Sequence, residues 1–232
     1  MIPVLTQLRF DVLHANVEIG RRGLARFTFG NASGVDRQQG LIVIKPSGVA
    51  YDELTAAALV VTDLDGNVVD GSLRPSSDLP THVALYRGFP GIGGIVHTHS
   101  HYATVWAQAG REIPCLGTTH ADYFHGAIPV TASMADHAIA NEYEANTGNM
   151  IVERFANRDP ATMPAVLVAG HASFCWGLTV ATALETASIL EEVAEMAYHT
   201  IMLNAESAEI SPTLRDKHFR RKHGKDAYYG QR

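Results

Sequence analysis

The chain has 232 residues, 46% of them hydrophobic, and a formal net charge of −6. That length suits one domain, residues 1–232, with a substantial core, and the acidic balance argues against nucleic acid as a partner. No run approaches the roughly 18 apolar residues of a membrane helix, and Met1–Gln7 lacks the basic and apolar regions of a signal peptide, so a cytoplasmic protein is expected.

Leu5, Leu8, Val12, Ala15 and Ile19 recur at helical spacing, which predicts an opening amphipathic helix ended by Gly20 and Gly23. Arg26–Asn31 reads as a strand running into a turn, and Leu41–Ile44 as a short apolar strand followed by the loop Lys45–Gly48. Val60–Asp63 and Val68–Val69 flank Asp65–Asn67, a hairpin signal. Arg74–Asp78 leads into a helix from about Pro80 to Gly88. Gly94–His99 is a strand, and His101 to Ala109 a helix. Ser133 and Asp136 have capping-box spacing ahead of a helix ending near Gly148. Ala165–Val168 is a buried strand that delivers His171. A long helix follows over roughly 180–205, and the chain from Lys217 is basic. Together these predict an α/β protein whose sheet, with antiparallel or mixed pairing, is flanked by helices.

Histidine is the compositional signal, with 12 in the chain. His97 and His99 stand two apart on one strand, so alternation puts both imidazoles on one face. Such a pair suits a borderline divalent metal such as zinc. His171 and Asp78 are candidates for further ligands, while His101 sits past the strand end and is expected to point away. Cys115 and Cys175 lie in apolar settings and read as buried thiols rather than ligands.

Three small polar segments could hold an anion: Asn31, Ser47-Gly48 and Ser76-Ser77, with Lys45 adding a charge. Each is also a common turn or cap sequence. None has a nucleotide P-loop or dinucleotide-binding pattern, which points to a small phosphorylated metabolite. Asp122, beside aromatic residues, could be a partly desolvated carboxylate with a raised pKa, or simply a turn residue. Tyr228-Tyr229 suggests a C-terminus docked on this chain or on a neighbour. The basic run containing His218 and Arg221 is either a solvated face or a phosphate clamp.

Taken together, Gly30-Asn31-Ala32-Ser33, Lys45–Gly48, Pro75–Asp78, Gly93–Ser100, Gly117–Tyr123 and Ala227–Gln231 resemble the pentulose-phosphate 4-epimerases of the class II aldolase/adducin family. The resemblance runs in order from about residue 8 to 231. It implies a three-layer α/β/α fold with a central, largely antiparallel sheet, assembled as a homotetramer. It implies zinc, with manganese or cobalt as alternatives, held by Asp78, His97, His99 and His171. Gly30, Asn31, Lys45, Ser47, Gly48, Ser76 and Ser77 would contact substrate. Asp122 and Tyr229 would form the acid–base pair, Tyr229 acting in a neighbour's site, with that neighbour's His218 and Arg221 near the phosphate. The implied reaction interconverts L-ribulose 5-phosphate and D-xylulose 5-phosphate by breaking and remaking the C3–C4 bond. Two relatives in the family offer alternatives: sugar-phosphate aldolases, which tend to carry Glu where this chain has Asp78, and adducin-like interaction domains, expected to lack the metal histidines. His101-Tyr102 and Ala172 depart from the usual epimerase motifs.

Overall fold

The computed structural model describes residues 5–225 and 227–230; Gln231, the end of the C-terminal motif, lies outside them. The opening helix α1 (Thr6–Arg21) buries Val12, Ala15 and Ile19 along the expected stripe. Strands β1 (Asn31–Asp36), β2 (Leu41–Ile44), β3 (Val60–Asp63) and β4 (Val68–Asp70) follow, then helix α2 (Leu79–Gly88) and strand β5 (Gly94–Thr98). Helix α3 (His101–Gln108) and the short α4 (Thr118–Ala121) precede α5 (Asp136–Ile139) and α6 (Tyr143–Arg154). Strands β6 (Ala165–Leu167) and β7 (Ser173–Gly177) form a hairpin, and α7 (Val180–Leu203) and α8 (Pro212–Lys222) complete the order.

The strands make one seven-stranded sheet in the order β4-β3-β2-β1-β5-β7-β6. Each pair of neighbouring strands is antiparallel, and a parallel bridge joins Val130 to Leu167 at the β6 edge, in keeping with a largely antiparallel sheet. Helices cover both faces. On one face a Cβ added at Gly34 would meet side chains of Leu8 and Val12 in α1 and Val180 in α7 at 2.6–3.2 Å. Asn16 of α1 also clasps the backbone of Ala32, accepting from its N–H at 2.8 Å. On the other face the next residue of the pleat, Ser33, reaches α2, where its hydroxyl lies 2.7 Å from His82 Nδ1 and 2.8 Å from Tyr86 Oη. Helix α6 packs outside α2, closely enough that a Cβ at Gly148 would stand 2.5 Å from that of Ala84. This is the three-layer arrangement expected.

Four local expectations change. Residues 26–30 are not a strand: Phe27 is 78% exposed with φ +56°, and Gly30 at φ +83° turns the chain before β1 begins. Ser133 caps nothing; Ala135 is the N-cap of the single-turn α5, and Glu142 at φ +51° starts a separate helix that runs on to Arg154. Strand β7 goes unforeseen because, with both faces covered, it shows no polar alternation. Helix α8 also goes unforeseen; Ser211 caps it by accepting from Leu214 N–H, with Pro212 in the first turn.

No helix among the described residues is long and apolar enough to cross a membrane. Cys115 and Cys175 are buried free thiols, as expected.

Candidate metal centre and anion cleft

The central strands β1, β5 and β7 set the geometry. Register pairs His97 with Asn31 on one side and with Phe174 on the other. The His97 ring stacks on Phe174 with centroids 4.2 Å apart and an interplanar angle of 15°. Its Nδ1 lies 2.9 Å from the carbonyl of Ser173. A carbonyl only accepts, so Nδ1 carries the hydrogen and Nε2 presents its lone pair. His99 lies just past the end of β5. His171 comes from the turn between β6 and β7, where Gly170 adopts φ +71°.

The ligand atoms of His97, His99 and His171 all lie within 4.8 Å of one another. Burial lowers the pKa of each: His97 and His99 fall below the ordinary imidazole value, and His171 drops to about 4 through burial and the neighbouring His97. At neutral pH all three are therefore uncharged donors. Asp78, the residue before α2, sets Oδ2 3.9 Å from His97 Nε2. Burial alone would raise its pKa, but His97, His82 and a 2.6 Å hydrogen bond from Asn31 outweigh this, and the carboxyl stays ionised. The three neutral imidazoles suit a borderline divalent ion such as zinc, while Asp78 lies outside that close group and stands beside His97 as a candidate fourth donor. His101 begins α3 with its ring against Tyr102 and is not part of the cluster, as expected.

The histidines open into a cleft of about 320 Å³ that Asp78 also lines. Gly30, Asn31, Lys45, Ser47, Gly48, Ser76 and Ser77 all face the same cleft. Two loops make its wall: Ser76 N–H donates to the Lys45 carbonyl at 2.9 Å, and Ser47 N–H to the Arg74 carbonyl at 3.0 Å. Lys45 is 2% exposed, its Nζ reaching one protein acceptor, the Pro46 carbonyl, at 3.4 Å, and burial lowers its pKa. Buried Asn31 uses its amide nitrogen on Ser76 and Asp78, while its Oδ1 has no partner among the described residues. The cleft thus joins three histidines that could hold an ion, a buried lysine, and an acceptor on Asn31 with no partner among the described residues.

Sequence reasoning missed three contributors. Tyr51 donates to the Phe29 carbonyl at 2.6 Å and holds the chain entering Gly30. Phe174 backs His97. Tyr143 Oη lies 3.1 Å from His171 Nδ1. None belongs to a local motif; each contact depends on strand register or helix packing.

Asp122, His218, Arg221 and Tyr229 come together in a second cluster and do not line the histidine cleft of their own chain. Asp122 Oδ1 accepts from Arg221 Nε at 2.8 Å and lies 3.0 Å from His218 Nδ1, and a second guanidinium nitrogen binds Oδ2. The Arg221 guanidinium lies 4.8 Å from the Tyr229 ring centroid, and the N–H groups of Tyr228 and Tyr229 both donate to the Arg221 carbonyl. Of the two readings open for Asp122, the raised pKa is not found. Burial pushes upward, but Arg221, His218 and Lys222 overcome it and hold the carboxyl below its usual range.

Residues 10–198 match the Class II Aldolase and Adducin N-terminal domain, and the chain belongs to that family. Among solved structures it is similar to an L-fuculose 1-phosphate aldolase, with 23% identity and a TM-score of 0.79 over 92% of this chain and 95% of that one. It is also similar to YgbL from Klebsiella pneumoniae, a candidate aldolase/epimerase/decarboxylase, with 26% identity and a TM-score of 0.72 over 91% and 97% of the two chains. A third is the l-fuculose-1-phosphate aldolase from Thermus thermophilus, at 22% identity and a TM-score of 0.68 over 88% and 99%.

Proposed function

We propose that this chain is a zinc-dependent sugar-phosphate 4-epimerase that interconverts L-ribulose 5-phosphate and D-xylulose 5-phosphate. The observation that carries the reading is the joining, in one cleft, of the His97/His99/His171 cluster to the buried cation Lys45. Family membership supports sugar-phosphate chemistry, and the sequence resemblance supports the epimerase branch.

The hydrogen on C4 is not acidic, so inversion there requires breaking a carbon–carbon bond. His97, His99, His171 and Asp78 would hold a divalent ion, which would supply Lewis-acid polarisation of the substrate carbonyl. Lys45, Asn31 and the loop residues Ser47, Gly48, Ser76 and Ser77 hold the phosphate and fix the two-carbon end. A base takes the C4 hydroxyl proton, the C3–C4 electron pair moves onto the three-carbon fragment, and C4 becomes an aldehyde. The aldehyde turns, the pair attacks its opposite face, and the C4 oxygen regains a proton. Asp122, held as a carboxylate, and the Tyr229 phenol serve the two faces of C4. Of this pair the sequence resemblance brings only Tyr229 from a neighbour; because neither Asp122 nor Tyr229 lines the cleft of its own chain, both reach it in this reading from a neighbouring subunit of a homotetramer, with that neighbour's His218 and Arg221 beside the phosphate. Residues 1–232 act as one catalytic domain, in the cytoplasm.

The alternative is a lyase of the same family, favoured by the likeness to fuculose-phosphate aldolases. Incubation with L-ribulose 5-phosphate and zinc separates the two. D-Xylulose 5-phosphate without loss of total pentulose supports the epimerase; net release of dihydroxyacetone and glycolaldehyde phosphate overturns it in favour of the lyase.

A further inference from the structure

The three imidazoles are not held alike. His97 is locked by a backbone carbonyl and by ring stacking inside the sheet. His171 sits in a turn after a glycine, partly exposed, and its ring makes one hydrogen bond among the described residues: Nδ1 to the Tyr143 phenol oxygen at 3.1 Å. We propose that Tyr143 is a positioning residue for the metal centre, taking the Nδ1 hydrogen of His171 so that Nε2 is the nitrogen left to bind an ion. This rests on reading His97, His99 and His171 as metal ligands.

The chain around Tyr143 is built to place it. Glu142 adopts φ +51°, a conformation that side-chain-bearing residues rarely take, and Tyr143 is the first residue of α6 immediately after it. The new helix is then pinned. Asn146 N–H donates to the Glu142 carbonyl at 2.9 Å, and Thr147 Oγ1 to the Tyr143 carbonyl at 2.9 Å. Thr81 of α2 donates to the Glu144 carbonyl at 2.6 Å. Gly148 lets α6 settle directly against α2 at Thr81 and Ala84. Since Asp78 immediately precedes α2, the same helix contact that seats Tyr143 also fixes it relative to Asp78. One packed pair of helices thus supplies a carboxylate to one part of the centre and a phenol to the back of His171.

An outer hydrogen bond of this kind fixes both the tautomer and the ring orientation of a ligating histidine, and its loss commonly weakens metal affinity by about 10- to 100-fold. Tyr143→Phe keeps the ring and removes only the oxygen. Zinc affinity is measured by chelator competition on full-length metal-free protein, alongside its thermal unfolding and the visible absorption of the cobalt-loaded form. The expected result is a zinc dissociation constant raised about 10-fold or more, an altered cobalt spectrum, and unfolding of the metal-free protein within a degree or two of the parent. A dissociation constant within twofold of the parent and an unchanged cobalt spectrum overturn the proposal while leaving the metal reading intact. Failure of the parent itself to bind zinc overturns the metal reading. If Tyr143→Phe also destabilises the metal-free fold, the cycle with His171→Gln decides. Loss of the Tyr143 effect on zinc binding in the His171→Gln background supports positioning through that ring, and a fully additive effect refutes it.

Discussion

Gly30→Ala tests how closely the fold and the site are joined. Gly30 has φ +83°, and a Cβ built on it stands 2.5 Å from the His97 carbonyl oxygen and 3.2 Å from Thr98 Cα. The left-handed conformation costs an alanine about 1–2 kcal/mol. The close contact is worse, because its partner is backbone of a central strand and cannot rotate aside. Restoring even 3.0 Å requires β1 and β5 to part by about half an ångström beside the Asn31–His97 pair. Weakening one or two ladder hydrogen bonds there adds about 1 kcal/mol each. The total is roughly 2–4 kcal/mol of unfolding free energy. A metal centre tolerates ligand displacements of only about 0.2 Å, so zinc affinity should also fall by about 10-fold or more. Gly91→Ala is the control, since it has ordinary φ and nothing within 4 Å of the new methyl. Urea unfolding and chelator competition measure both effects. If Gly30→Ala stays within 0.5 kcal/mol of the parent with unchanged zinc affinity while Gly91→Ala behaves the same way, the close-approach reasoning is wrong.

Lys45→Met should raise KM for a phosphorylated substrate by about 100-fold through loss of a charge-assisted contact, yet leave the melting temperature equal or higher because a buried charge is removed. A KM within threefold of the parent would exclude Lys45 from anion binding. Metal-free protein should lose stability as pH falls from about 6.5. Burial holds His82 near 3 and His120 near 4 in the folded chain, against an ordinary value of 6.5. The unfolded chain therefore binds more protons below 6.5, so this stability is complete above that pH and drains away as pH falls toward 4 and then 3. Urea midpoints that do not decrease between pH 7 and pH 5 would contradict it.

Much of the fold was legible because its signals are local. The stripe of Val12, Ala15 and Ile19 marks α1, and Asp65-Gly66-Asn67 marks the β3–β4 hairpin. Strand β7 was hidden because Ser-Phe-Cys-Trp-Gly, covered on both faces, carries no alternation to read. The break at Glu142 was hidden because no residue preference foretells a glutamate with positive φ. In the site, His97 and His99 announced themselves by spacing on a strand. Asp122 and Tyr229 stood out as candidates from their local setting, whereas Gly30 and the pairing of Asp122 with Tyr229 as acid and base came only with the family resemblance. The pairing of Asp122 with Arg221 could not be seen at all, since it depends on α8 folding back over α4, and it reverses the pKa direction that aromatic neighbours alone suggested. Tyr143 was invisible for a similar reason: its contact with His171 arises from how α6 lies on α2.

The turn between β6 and β7 has a consequence for the order of events in folding. His97 and His99 are carried at the end of β5, but the third imidazole arrives only when a hairpin formed much later in the chain has docked onto β5 along its length. Until that long-range pairing is complete the cluster lacks its third imidazole. An ion held by these residues would therefore grip the finished protein more tightly than a half-folded intermediate. A metal bound there would act on the rate at which the native state opens rather than the rate at which it forms, a latch and not a nucleus.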